Sequence, residues 1–214
     1  HTVDCWTFCA YDGFADLSAH ADQPMSPSDR TQPSRFENPI ALGPFQLERP
    51  LGHGASGVVW RARHLEEGIP VAVKILTRHY VSQRHFQEEV QSVATLNHPG
   101  IATILDYGRT EPEISKTSNG VLPGDRPYLV MEHADRGTFT ELGPDMDWGL
   151  LKDLLLAVLD SLSHAHAHDV IHRDLKPNNI LLTSSADNSL QIKLSDFGLA
   201  FRRDAYLDPM EDRT

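Results

Sequence analysis

Two short stretches of this chain carry side chains suited to moving a phosphoryl group. The first is Ile171-His172-Arg173-Asp174-Leu175-Lys176-Pro177-Asn178-Asn179; the second, Asp196-Phe197-Gly198, begins twenty-two residues after Asp174. Phosphoryl transfer from a nucleotide asks little covalent chemistry of a protein. It asks for positioning and charge neutralisation: Mg²⁺ on the phosphates and a carboxylate at the attacking hydroxyl. Asp174 suits the base, while Asn179 and Asp196 suit the metal.

Such groups need elements that bring a nucleotide to them, and the upstream sequence supplies candidates. Leu51-Gly52-His53-Gly54-Ala55-Ser56-Gly57-Val58-Val59 carries a G-x-G-x-x-G-x-V pattern. A dinucleotide-binding turn is its rival, but that turn runs directly into a helix and is followed by an acidic residue about 20 positions on. Here the glycines run into Val58-Val59-Trp60-Arg61-Ala62-Arg63, which is β-branched and aromatic and predicts a strand. The loop therefore turns a hairpin and can lie over phosphates, glycine being needed because a Cβ would hold the backbone amides off the phosphate oxygens. Val71-Ala72-Val73-Lys74 is a further strand, with Ala72 and Lys74 on one face.

Taken together, these segments resemble the eukaryotic-type protein kinases. The resemblance covers about residues 45–214. It implies that Lys74 holds the α- and β-phosphates of ATP and pairs with a glutamate on the next helix. Phe86, Val90, Val93 and Leu96 fall at helical spacing, and the family pattern F-x-x-E-V selects Glu89 over Glu88, which reads as a solvated helix charge. Val93 resembles the position that packs toward Phe197 and His172. Arg126 to Ala134 resembles the connection between lobes. There Met131 guards the inner pocket, and Glu132 and Ala134 present the backbone carbonyl and amide that meet adenine. With Leu51 and the glycines Gly52, Gly54 and Gly57 above, Val59, Ala72 and Leu181 would sandwich the ring. Lys176, in Leu175-Lys176-Pro177-Asn178, resembles the serine/threonine branch, where this lysine sits near the transferred phosphate. Leu96-Asn97-His98-Pro99 and Leu162-Ser163-His164 resemble its bacterial members. The resemblance thus implies ATP and Mg²⁺ as cofactors and a protein substrate with a Ser/Thr acceptor. Two rival classes are a nucleotide-binding scaffold without catalysis and a small-molecule phosphotransferase. The first would lack one of Lys74, Asp174, Asn179 or Asp196; the second is not expected to carry both the His172-Arg173-Asp174 and Asp196-Phe197-Gly198 segments.

Composition constrains the partners. The formal net charge of −11 argues against nucleic acid or an anionic membrane. A hydrophobic fraction of 40% and mean hydropathy of −0.36 fit a soluble globular chain. The longest apolar run, Leu154 to Leu159, is about a third of a membrane span. The sequence opens with no basic-then-apolar leader, and a cytoplasmic location is the expectation. Cys5 and Cys9 cannot by themselves close a zinc site. His164, His166 and His168 lack the H-E-x-x-H pattern and read as the end of a helix whose apolar stripe is Leu151, Leu155, Val158, Leu159 and Leu162.

The expected fold is α+β and bilobal. Residues 1–44, rich in Pro and Ser, read as a disordered or linker-like segment; Met25 is a candidate initiator. A small lobe follows at 45–132, with an antiparallel sheet and one helix at 83–96. Its segment Gly108 to Asp125 is too long for a tight hairpin and predicts an exposed, mobile excursion. Residues 133–214 would form part of a helical large lobe: connector, helix at 148–168, catalytic loop and strands near 180–183 and 191–194. The motif A-P-E and the helices that complete such a lobe are not in the sequence, so the 214 residues alone are expected not to phosphorylate protein. Arg173 would pair with a phosphorylated residue downstream, for which Thr214 is a candidate.

Overall fold

A computed structural model describes residues 39–54, 56–76, 83–143, 146–185 and 187–197. Cys5, Cys9, Met25, Gly198 and Thr214 lie outside them. Among the described residues there are eight strands: β1 (Ile40–Leu42), β2 (Phe45–Gly54), β3 (Gly57–His64), β4 (Pro70–Leu76), β5 (Ile104–Arg109), β6 (Pro127–Glu132), β7 (Ile180–Ser184) and β8 (Leu190–Leu194). Helices α1 (Gln83–Ala94), α2 (Ile114–Thr117) and α3 (Trp148–Ala167) complete the set, with 3₁₀ turns at Phe139–Glu141 and Pro177–Asn179.

Strands β1 to β6 form one antiparallel sheet in the order β1-β2-β3-β4-β6-β5. The strict alternation of β4 explains why it lies in the interior. Val71, Val73 and Ile75 join Leu47, Trp60, Ala62, Tyr128 and Val130 on one face. Ala72 and Leu76 join Leu129, Met131 and the α1 residues Phe86 and Val90 on the other. Both faces are covered, so β4 is apolar throughout except for Lys74.

Two expectations need correction. Order begins inside the presumed linker, because Gly43, at φ 55°, turns the chain through Gly43-Pro44 so that Leu42 pairs with Phe45 and is buried. The excursion from Gly108 to Asp125 is exposed in part, as expected, but is not a bare loop. It folds α2 and sinks Ile114 and Leu122 into the outer cluster of the sheet. Buried Thr110 fastens both ends: its hydroxyl donates to Pro123 O (2.8 Å) and accepts from Arg126 N (2.9 Å). The polar letters of this segment obscured two apolar anchors eight residues apart.

Leucines crowd most of the circumference of α3. The buried side is Leu154, Val158, Ser161 and Ala165, whereas Leu155, Leu156 and Leu159 are exposed. Asp147 caps the helix by accepting from Leu150 N at 3.1 Å. At the other end His164 and His168 share a face, their rings 4.4 Å apart, and His164 stacks on His98.

The two-stranded β7–β8 sheet carries the catalytic segments at its ends. Its link to the small lobe is a backbone strip at Gly100–Thr103. Leu194 N donates to Gly100 O (2.8 Å), Ala102 N donates to Leu194 O (2.9 Å), and Glu132 N donates to Thr103 O (3.0 Å).

Candidate active site

Lys74 is the buried cation at the centre. Its side chain is only 3% exposed, and its Nζ lies 2.7 Å from Asp196 Oδ2, a carboxylate 22% exposed. A lysine ammonium tolerates such burial only when a counter-charge stands against it. The strand alternation that faces Lys74 inward and the turn that presents Asp196 therefore meet, 122 residues apart in sequence. The ion pair seen for Lys74 runs to Asp196. Glu89 is half-buried on α1, and Glu88, as expected, is exposed and paired with Arg84 at 2.8 Å.

Asp174 is held by two neighbours. Lys176 Nζ donates to its Oδ2 at 2.7 Å, and Asn179 Nδ2 donates to the same oxygen at 3.0 Å and to its backbone carbonyl at 2.8 Å. The Lys176 hydrogen bond leads in holding the Asp174 carboxyl below the usual carboxylate range, with Asn179 assisting. Asn179 is buried at the end of its 3₁₀ turn, and its carbonyl accepts from Ser195 N at 2.9 Å. That contact ties the Asp174 loop to the Asp196 loop. Sequence patterns do not reveal it, because Ser195 belongs to neither motif.

Beneath both loops lies His172, fully buried, its ring 4.5 Å from that of Phe197. Both ring nitrogens lie outside hydrogen-bonding geometry; burial pushes the imidazole pKa down, partly offset by the nearby backbone of His172 itself and Ser195. Val93, Met131, Leu194 and Phe197 line a small cavity with Asp196 at its mouth, so the expected packing of Val93 toward Phe197 is present. Two residues adopt positive φ in these loops: Arg173 at 60° and Asp196 at 63°. Side chains rarely take this conformation, and it is held here where it aims functional groups.

A family model described as the protein kinase domain matches residues 45–207. The chain belongs to the protein kinase family. Among curated relatives it is similar to serine/threonine-protein kinase Pkn1 of Myxococcus xanthus, 34% identical over 173 residues, covering 78% of this chain and 23% of that protein. It is also similar to serine/threonine-protein kinase PknA of Mycobacterium tuberculosis, 36% identical over 170 residues, covering 76% and 37% respectively. The DNA damage-responsive serine/threonine-protein kinase RqkA of Deinococcus radiodurans is 35% identical over 166 residues. The chain thus spans between 23% and 37% of the length of these relatives.

The remaining candidate residues differ in exposure. Ala72 and Met131 are buried, Val59, Glu132, Ala134 and Leu181 half-buried, and Leu51 exposed. The three loop glycines differ. A Cβ on Gly52 or Gly54 would meet nothing within 4 Å, which leaves the backbone open to a ligand. A Cβ on Gly57 would stand 2.2 Å from Ile75 O, so this glycine is required by strand packing whether or not a phosphate lies near.

The donor set fits Mg²⁺. With Asp196 Oδ2 on Lys74 and Asn179 Nδ2 on Asp174, each residue keeps a side-chain oxygen for a hard cation. Among the described residues no three His, Cys, Asp or Glu side chains are arranged around a metal. No helix among the described residues is long and apolar enough to cross a membrane.

Proposed function

We propose that this chain carries the nucleotide-binding and catalytic loops of a cytoplasmic protein kinase that uses ATP and Mg²⁺ and transfers the γ-phosphate to serine or threonine hydroxyls of proteins. The observation that carries this reading is the 2.7 Å pair between Lys74 and Asp196, with Asp174 held nearby by Lys176 and Asn179. Lys74 would orient the α- and β-phosphates, and the open backbone at Gly52 and Gly54 would cover them. Met131 and Ala72 offer apolar surface to adenine, with Glu132 and Ala134 supplying the backbone carbonyl and amide. Asn179 and Asp196 would hold Mg²⁺, which when bound neutralises charge on the phosphate oxygens. Asp174, kept ionised, would accept the proton as the acceptor hydroxyl bonds to phosphorus and the bond to the ADP oxygen breaks. Lys176 then stands beside both the base and the arriving phosphate.

The test is a radiolabelled ATP assay on the full-length protein, offered protein and small-molecule acceptors. Label on serine or threonine of protein, abolished by Asp174→Asn, is the expected result. Nucleotide binding without transfer would make the chain a scaffold, and label only on small molecules would place it among the phosphotransferases.

A further inference from the structure

We infer that Lys193 is a positioning residue for adenine, acting through Glu132. Lys193 belongs to neither catalytic motif. It sits on β8, with a side chain 15% exposed, and its Nζ lies 2.9 Å from Glu132 Oε1, a carboxylate 35% exposed. A lysine on a two-stranded sheet beside the surface would ordinarily extend into water. This one is drawn inward to Glu132, the residue where β6 ends.

The second carboxylate oxygen of Glu132 faces Thr103 N at 3.4 Å, and Glu132 N donates to Thr103 O at 3.0 Å. The strip at Gly100–Thr103 is in turn bonded to Leu194, the residue after Lys193. Glu132, Thr103, Leu194 and Lys193 are thus joined by a ring of backbone and side-chain bonds that runs through the strip at Gly100–Thr103. Directly across the β7–β8 ladder from Lys193 is Leu181. On the proposed reading, Leu181 is the floor under adenine and Glu132 supplies the carbonyl at its edge. The ion pair is the one direct side-chain tie in this ring between the floor strand and the edge residue, and on this inference it sets the fit of the base.

This inference rests on the kinase reading, and it assigns Lys193 to recognition of the base alone. Lys193→Met in the full-length protein is expected to weaken adenosine and Mg²⁺-ATP by about fivefold or more, the lower range of a coupling between neighbouring sites. Binding of inorganic tripolyphosphate should not change. The KM for ATP should rise with kcat within about twofold, the pattern of lost uniform binding. The double exchange Lys193→Glu with Glu132→Lys should recover much of the loss, and the difference between wild type and Lys193→Met should shrink in high salt. Glu132→Gln serves as a second variant if Lys193→Met does not fold. Unchanged adenosine affinity in a folded Lys193→Met protein overturns the inference alone, as does an equal loss of tripolyphosphate. A wild-type protein that binds no nucleotide overturns the kinase reading and the inference together.

Discussion

Alanine at each of the three loop glycines should separate packing from ligand binding. At Gly57 the new Cβ would stand 2.2 Å from Ile75 O, 3.0 Å from Ile75 C and 3.1 Å from Leu76 Cα. Those are backbone atoms of β4, the central strand that carries Lys74, and they cannot rotate away as a flexible side chain would. The backbone there is also at φ 155°, which side chains rarely adopt. Overpacking of this kind costs about 1–3 kcal/mol, and the backbone conformation adds roughly 1 kcal/mol. A total of about 2–4 kcal/mol lowers the Tm of a chain this size by on the order of 5–15 °C. Gly52→Ala and Gly54→Ala place their methyl groups in open space, so their stability should stay within about 1 kcal/mol of wild type. Their nucleotide affinity should fall, since the methyl occupies the approach to the phosphates. Thermal and urea unfolding, with ATP titration of each variant, provide the readout. A Gly57→Ala protein that melts with wild type would refute the packing argument, and so would equal destabilisation by all three substitutions.

Lys74→Met and Asp196→Asn in the full-length protein should each lower kcat by about 10²–10³-fold, roughly 3–4 kcal/mol of transition-state stabilisation, with the fold retained; near-normal turnover in either contradicts the roles proposed. Burial holds the His172 imidazole below its usual pKa of 6.5, so its contribution to stability is complete above 6.5 and is lost as pH falls through the lower folded value. His172→Phe should therefore lessen the drop in Tm on acidification below pH 6.5, and an unchanged slope counts against this. On α3, Leu154→Ala removes a side chain 3% exposed and should cost about 2–5 kcal/mol. Leu159→Ala, at a position 62% exposed, should change urea-unfolding stability by under about 0.5 kcal/mol in the 214-residue chain; comparable losses would contradict this assignment of the buried side.

The parts of the fold legible in the sequence were those with one strong local signal. Alternation in Val71 to Leu76 fixed which way Lys74 faces, and the stripe Phe86, Val90, Val93 and Leu96 is buried as its spacing implied. The glycines followed by β-branched residues gave the hairpin that pairs Gly54 with Gly57. Where the signal was spread or non-local, sequence reasoning misplaced it. The leucine-rich circumference of α3 hid its buried side, and a polar segment concealed the anchors Ile114 and Leu122. For the candidate site, the motifs name residues but not partners. Nothing local to Lys74 points to Asp196, and nothing near Lys193 points to Glu132; those pairings arise only when strands far apart in sequence are brought together.

The strip at Gly100–Thr103 has a consequence for how this molecule can be divided. By chain order it belongs with the sheet β1–β6, which is finished at residue 132. Yet its backbone partner is Leu194, more than ninety residues later. A segment ending at residue 132 would leave Gly100 O and Ala102 N without the bonds they make here, an open strand edge able to recruit other chains. Exchange of small lobes between this kinase and its relatives should therefore carry β8 along with the sheet, because the seam between modules runs through the β7–β8 hairpin and not through the connection at Glu132.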